Sequence, residues 1–589
     1  MTTVSHPDDG PAQLAEAGQP EPVQAIEQRE RLRSPALQGG LAFLIYLAVW
    51  WGTEFRRVVA HPTYALLDQR SQDPNLFVWA LRWWPYAIGH GVNPLFTHMV
   101  GLPAGHSLAW VTTVPPIALL ATPLTLTAGP VVSLNLLAAV SLPLSAWAAF
   151  VLCRRLTGKF WAALAGGAVF GFSAYDMSHS AAGQLDLAFS LLLPVLAYLI
   201  LVWRDGGLSS RTFVILGGLT MALQFYLMME VFADLTAVLA VSLLLGLALA
   251  GPGGRPQLVR LARVLGLAYA IAAVLVAPYA VFALSSKSPK LTGNTGLDLA
   301  SLVIPQPGRT YGIAWLTHAA AHPNLNSYAG YVGVPVLLLA VLLAVTTWHS
   351  KIVRFLTGML VFLIAASLGP VVYLDGRAVS GLPWAGLWRL PILRNAYPGR
   401  LMLFVYLVLA VATALYLAGP ARRMPWARVG LVVLVLAFIA LDAVPMKVRS
   451  QSTVPAFITS GLYRRQLTPG ETVVVVSDVG NAGMQWQAES GFYMRIDGGY
   501  FTEGISKLTD LPWPVQHLSK STPLLVRRFE RYVSSFHVGA ILVDASLAPR
   551  WAAVIGKTGL VGHEVGGVIV YQAHDCQSCH NVDWAQLRA

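Results

Sequence analysis

Charge is what this sequence has least of: only 12% of its 589 residues are Asp, Glu, Lys or Arg. Soluble domains carry about 25%, so a soluble enzyme of this length is excluded as the simple reading. Cysteine is scarcer still. Cys153 lies at the end of an apolar run, which leaves Cys576 and Cys579 for pairing or ligation and excludes a disulfide scaffold. A phosphate-cradling glycine loop is missing too, because "DVGNAG" (478–483) is too short and irregular for a nucleotide fingerprint. The net charge of +12 sits in short groups between apolar runs, with no continuous basic stripe. Nucleic acid is therefore excluded as a partner, and the basic groups read as topology signals.

What fills the space is apolar sequence, 55% of all residues, in recurring runs of the roughly 17–25 residues that cross a bilayer. The expected fold class is a polytopic α-helical membrane protein with a small C-terminal α/β domain. Spans are expected near 37–54, 129–152, 161–175, 187–202, 212–228, 231–250, 262–283, 329–347, 354–372, 401–418 and 427–444, about eleven in all. This threading puts "CRRLTGK" (153–159), "WRDGGLSSR" (203–211), "GPGGRPQLVRLAR" (251–263), "WHSKIVR" (348–354) and "GPARRMPWAR" (419–428) on one side. The excess of Lys and Arg makes that side cytosolic. The prolines of "VTTVPPIALLATPLTL" (111–126) break a helix, so this stretch is expected to be half-buried or re-entrant.

The domain plan follows. Residues 1–36 form a disordered cytosolic tail, with no short apolar core and cleavage site that would make a signal peptide. Residues 37–444 form the membrane domain, with a first external loop at 56–110. Residues 445–575 form an external α/β domain, and 576–589 a tail. In that domain "ETVVVVSDV" (471–479), "VGAILVDASL" (537–546) and "GGVIVYQAH" (566–574) read as strands. The expected location is the bacterial inner membrane, with the C-terminal domain in the periplasm.

The first external loop is the most informative. Within 66–110 it gathers Asp68, Asp73, Arg82, Trp83, His90, His98 and His106. In "SQDPN", Asp73 can cap a helix and Pro74 can occupy its first position. An aromatic and basic groove at headgroup level, with Arg82, Trp83 and His98, can also hold a lipid-linked substrate. A carboxylate beside it can take a proton from a hydroxyl. The plain alternative is a capping aspartate within an interfacial aromatic belt.

The stretch "DPNLFVWALRWWPYAIGHGVNPLF", the turn "RRLTG" and the later "SLGP…LPWAGLWRLPILRNAYPGRLMLF" resemble the GT-C membrane glycosyltransferases. The likeness is to a bacterial branch related to the YfhO-like group. The resemblance implies a sugar donor carried on polyprenyl phosphate and a lipid, glycan or protein acceptor. It implies direct attack of an acceptor hydroxyl on the anomeric carbon, with inversion and Asp73 as general base; Asp68 is the fallback. It also implies acidic or histidine residues in the second external loop, sometimes holding a divalent metal. That loop here is "YDMSHSAAGQLD", with Asp176, His179, Gln184 and Asp186. The spacing of Asp176 and His179 lets them share a helix turn, to hold a metal or position the acceptor, though no clear paired-acid motif is present.

Three further groups complete the candidate site. Glu230 lies in "YLMMEVFADL" with Asp234, and carboxylates near a bilayer tend to face a cavity. Arg389, Arg394 and Arg400 sit outside against the positive-inside trend, where a carrier phosphate or lipid headgroups would partner them. "CQSCH" carries Cys576, Cys579 and His580 at the spacing of a c-type haem site. Too little chain follows to wrap a haem, and a small disulfide or loose redox pair is the simpler reading. A lipid or glycan transporter or flippase is the main competing class. It predicts inverted repeats, and no second copy of any segment is visible. A lipid-linked polymer ligase and a non-catalytic assembly role stay open.

Overall fold

The computed structural model describes residues 34–52, 56–63, 73–101, 105–286, 296–304, 330–382, 385–386, 397–419, 430, 454–477, 481–499 and 523–575. Six helical stretches among them are long and apolar enough to cross a membrane: Pro35–Gly52, Pro130–Thr157, Leu185–Arg204, Met229–Leu249, Arg255–Ser285 and Pro398–Ala418. The chain is a multi-pass membrane protein, but the expectation of about eleven spans is wrong. Apolar run length overstated helix length. The run at 161–175 yields the twelve-residue helix Phe160–Gly171, and that at 329–347 the fourteen-residue Val334–Thr347. At 1.5 Å per residue these reach only about 18 and 21 Å, short of a ~30 Å hydrocarbon core. Lys351–Ser367 is seventeen residues long, and Ser210–Leu227 interrupts its apolar stretch with Arg211, Gly217, Gly218 and Gln224. The run at 427–444 lies outside the described residues.

The helices relevant here are α1 (Pro35–Gly52), α2 (Asp73–Gly89), α3 (Pro115–Leu120), α4 (Thr122–Ala128), α5 (Pro130–Thr157), α6 (Phe160–Gly171), α7 (Ala174–Ala181), α8 (Leu185–Ala188) and α9 (Leu192–Arg204). They continue with α10 (Ser210–Leu227), α11 (Met229–Leu249), α12 (Arg255–Ser285), α13 (Val334–Thr347), α14 (Lys351–Ser367) and α15 (Met402–Ala418). The prolines at 115, 116 and 123 split the 111–126 stretch into α3 and α4, of six and seven residues, too short to cross. Helix α6 packs between α5 and α15. Gly171 makes that possible, since a Cβ there would stand 2.4 Å from the Ala146 amide nitrogen of α5.

The helix ends sort into two sets. Arg154 and Arg155 end α5, Lys159 precedes α6, Arg204 ends α9, and Arg211, Arg255 and Lys351 open α10, α12 and α14. Lys159 donates to the Ala418 carbonyl at the end of α15, 2.8 Å away. At the other ends lie the starts of α5, α8, α11 and α15.

A small sheet-and-helix domain covers this second end. After the two-stranded pairs β1 (Phe96–Thr97) with β2 (His106–Ser107) and β3 (Val371–Leu374) with β4 (Arg377–Gly381), its own sheet runs β6-β5-β7-β9-β8, with β5 (Thr472–Val476), β6 (Arg495–Ile496), β7 (Ala540–Asp544), β8 (Gly562–Val565) and β9 (Val568–Gln572). The strands β6, β5 and β7 are parallel, and β9 joins antiparallel to β7 and β8. The three β-branched runs read from the sequence supply β5, β7 and β9. Helix α16 (Ala482–Glu489) packs on α2, fixing the domain to the first loop. Trp79 donates its indole N–H to Gln487 Oε1 (2.7 Å), while the Gln487 amide donates to the carbonyls of Met99 (2.9 Å) and Met494 (2.8 Å). Phe492 sets its edge against Trp79 and Trp83, both at 5.5 Å between centroids.

Candidate functional site

The site is assembled where α2 begins. Helix α2 starts at Asp73, whose charge suits the positive end of the helix dipole, with Pro74 in the first turn. Opposite it, α7 is capped by Ser173, whose hydroxyl accepts the Asp176 amide at 3.2 Å. A tight turn at Gly183 then leads to α8. Gly183 takes φ +69° and touches the Pro74 ring; a Cβ there would lie 2.6 Å from Pro74 Cγ. Only glycine meets both demands, and the contact brings the two loops together.

A short hydrogen-bonded chain results. Gln184 Nε2 donates to Asp73 Oδ2 at 2.6 Å, and its Oε1 is 2.5 Å from His179 Nδ1. Because an amide oxygen only accepts, His179 carries its proton on Nδ1 and leaves Nε2 as an acceptor. Burial pushes the His179 pKa down to about 4; the Gln184 bond and Asp73 oppose that, and the Arg400 charge adds to it. The ring is therefore neutral at pH 7. Tyr175 packs edge-on against it, centroids 4.4 Å apart.

Asp176 shares α7 with His179, as their spacing implied, but it is fully buried and accepts the Ser190 hydroxyl at 2.9 Å. Burial lifts its carboxyl well above the usual range against that hydrogen bond. Asp186 on α8 is buried as well, within the electrostatic reach of Arg400 and Asp73. One carboxylate oxygen each of Asp176, Asp186 and Asp234 has no hydrogen-bond partner among the described residues.

Arg400 is the cation of the cluster. It pairs with Glu230 at the start of α11 and lies over the Tyr397 ring, 5.0 Å from its centroid. Glu230 Oε1 also accepts the Tyr397 amide at 2.5 Å. Asp73, His179, Asp176, Asp186, Glu230 and Arg400 thus meet at one end of the bundle.

The remaining sequence candidates lie elsewhere. Trp83 is a core residue that donates to the Pro94 carbonyl at 2.9 Å. Arg82 turns toward the C-terminal domain, beside Gly491 and within reach of the Glu489 charge. His98 is exposed next to Phe96, in the two-residue pairing of β1 (Phe96–Thr97) with β2 (His106–Ser107). Asp68, Arg389, Arg394, Cys576, Cys579 and His580 lie outside the described residues. Gln184 stands among the polar residues of its loop in the sequence but carries no assigned role there, since a neutral amide gives no specific signal; its position between a histidine and an aspartate candidate was the available hint.

No group of three or more His, Cys, Asp or Glu side chains among the described residues converges as metal ligands would. Asp73 and His179 are both turned onto Gln184 instead of toward a common point. The arrangement does not fit a resident divalent metal, and no step is assigned to one.

A family model described as "Domain of unknown function (DUF6311)" matches residues 25–443. No curated protein sequence matches the chain. In three dimensions the chain is similar to the arabinofuranosyltransferase AftD from Mycobacteria, at 13% identity and TM-score 0.55. That superposition covers 91% of this chain and 40% of the other, so this chain spans well under half the length of that relative. It is also similar to the Archaeoglobus fulgidus oligosaccharyltransferase solved with Zn and sulfate, at 12% identity and TM-score 0.53, covering 91% of this chain and 73% of that one. At such identities the likeness is one of fold.

Proposed function

The chain belongs to the DUF6311 family, whose description names no activity, and from that premise we propose that it is an inverting membrane glycosyltransferase using a polyprenyl-phosphate-linked sugar. The observation that carries the reading is the Asp73–Gln184–His179 chain beside Arg400, at the end of a GT-C-like bundle capped by a small domain. Asp73 takes the proton of an acceptor hydroxyl, on a lipid, glycan or protein. The hydroxyl oxygen then bonds to the anomeric carbon while the bond to the carrier phosphate breaks, inverting that carbon. Gln184 holds the Asp73 carboxylate in place, backed by neutral His179. Arg400 faces the departing phosphate, which competes with Glu230 for the guanidinium. Asp186 accepts hydroxyls of the sugar, while Asp176, fully buried and bonded to Ser190, backs the wall behind it.

Orientation follows from the sorted helix ends. The arginine- and lysine-rich ends lie in the bacterial cytosol by the positive-inside rule, so the site and the C-terminal domain face outward. Membrane lipids surround the bundle and deliver the carrier.

The test is to incubate the purified protein with polyprenyl-phosphate sugars and follow release of polyprenyl phosphate. The parent is expected to turn over and Asp73→Asn to lose about 100-fold or more, the scale of a general base. Flipping of the lipid without bond cleavage, or undiminished turnover by Asp73→Asn, overturns the proposal.

A further inference from the structure

Between α5, α9, α11, α12, α14 and α15, and reaching the basic helix ends, lies a half-open cavity of about 540 Å³. Its walls are almost wholly apolar, with Leu156, Leu196, Leu243, Leu258, Phe355 and Leu407 among them. Two charged side chains line it, Arg204 and Lys351, and both stand where α9 ends and α14 begins. Along α9 the lining runs from Leu193 to Arg204, and along α14 from Lys351 to Leu363. At 1.5 Å per residue these distances are about 16 and 18 Å, and the lining of α11 from Leu235 to Ala250 runs about 22 Å, more than half of a ~30 Å bilayer core. The cavity is therefore a half-open apolar cleft that runs from basic helix ends into the hydrocarbon zone.

The two cations are not equivalent. Arg204 pairs with Asp205 at 2.9 Å, and Asp205 is shared with Arg155. Lys351 is exposed, forms no ion pair among the described residues, and stands beside Gly251. A chain of methylene or isoprene units can fill such a cavity, and water gains nothing there for want of polar partners. An ammonium at its mouth favours a negative headgroup.

We propose that this cavity is a binding site for one anionic membrane lipid, with a single apolar chain between α9, α11 and α14 and its phosphate at Lys351 and Arg204. The assignment is independent of the proposed transferase reaction, because the two sites share no residue. The bound chain wedges apart helices that would otherwise collapse together, so the lipid is a structural ligand of the bundle.

The experiment uses the full chain in nanodiscs containing photoactivatable lipids, with the diazirine on one chain. Phosphatidylglycerol is expected to label peptides spanning 193–204 and 351–363, and unlabelled phosphatidylglycerol to compete. Phosphatidylcholine with the same chain should label about fivefold less, the size of one lysine's attraction to an anionic headgroup. Lys351→Gln should erase that preference, and Gly246→Phe, which fills the cavity from α11, should remove the labelling. Labelling by polyprenyl phosphate in place of phosphatidylglycerol would identify the carrier as the anionic lipid. Equal labelling by phosphatidylcholine, or labels spread over the outer faces of α11 and α12, means bulk lipid only and overturns the proposal. The lipid comparison on the parent protein decides the matter even where a variant fails to fold.

Discussion

At the scale of single residues, the site turns on Gln184. Its amide is oriented by its neighbours: the NH2 faces Asp73 and the carbonyl faces His179. Gln184→Leu removes both hydrogen bonds while keeping a similar volume, so the Asp73 carboxylate loses its fixed position. A displacement of about 1 Å costs on the order of 100-fold in rate. The expected outcome is a drop of that order in kcat with KM for the lipid donor little changed. Equal loss in both would mark Gln184 as a structural residue only. His179 carries a second prediction. Its folded pKa of about 4 lies below the ~6.5 of an unfolded imidazole. As pH falls through 6.5 the unfolded chain takes a proton that the folded one refuses, so stability declines until about pH 4 and levels off below. The ring keeps some contact with solvent, which limits the loss to at most about 3 kcal/mol. Melting in detergent from pH 7.5 to 4 should show this slope, and His179→Gln should flatten it. Asp73, Asp176 and His179 stood out in the sequence because charge and imidazole are rare there. The chain joining Asp73 to His179 was hidden because amides and glycines announce nothing until two distant loops meet.

At the scale of elements, hydropathy located the apolar helices among the described residues and overstated how many of them are long and apolar enough to cross a membrane. The run at 161–175 holds Gly166, Gly167 and Gly171, then Ser173, which caps α7 and ends the apolar stretch in a polar turn. Side-chain polarity cannot register such interruptions. The aromatic richness of α2 misled in a related way. Trp79 and Trp83 read as a surface belt or a lipid groove, yet both are buried beneath the C-terminal domain. A pattern cannot distinguish water, lipid and a partner domain as the thing covering an aromatic face. The docking itself is testable. Gln487→Leu removes the hydrogen bond from the Trp79 indole and the one to the Met494 carbonyl, while the Met99 carbonyl keeps the Ile496 amide, costing about 1–3 kcal/mol for each hydrogen bond lost from a buried group. The variant should melt earlier than the parent, and limited proteolysis should release the C-terminal domain sooner. An unchanged melting curve and digestion pattern would mean that α2 and α16 hold together without this contact.

At the scale of the whole molecule, the decisive quantity is the side of the membrane on which the site lies. The corrected span count removes one route to that answer, because orientation by counting crossings depends on every span being right. The sorted helix ends give another. The basic groups at 153–159, 203–211, 251–263 and 348–354 are tied to helix termini on the same side of the bundle, and Arg155 and Arg204 there share Asp205. Inverting the protein would set Arg154, Arg155, Lys159, Arg204, Arg211, Arg255 and Lys351 on the outer face together, against the bias that governs insertion. The outward placement can be read with single cysteines in a Cys576→Ser, Cys579→Ser background, in which Cys153 is buried and silent. Val561→Cys, at a side chain 86% exposed on the small domain, should react with a membrane-impermeant maleimide on intact spheroplasts. Gly253→Cys, in the turn before α12 with open space around it, should react only after the membrane is permeabilised. The reverse pattern would put Asp73 in the cytosol. The helix bundle would stand, but acceptor and donor would have to meet on the inner face, and the outward-facing reaction would fall with its orientation.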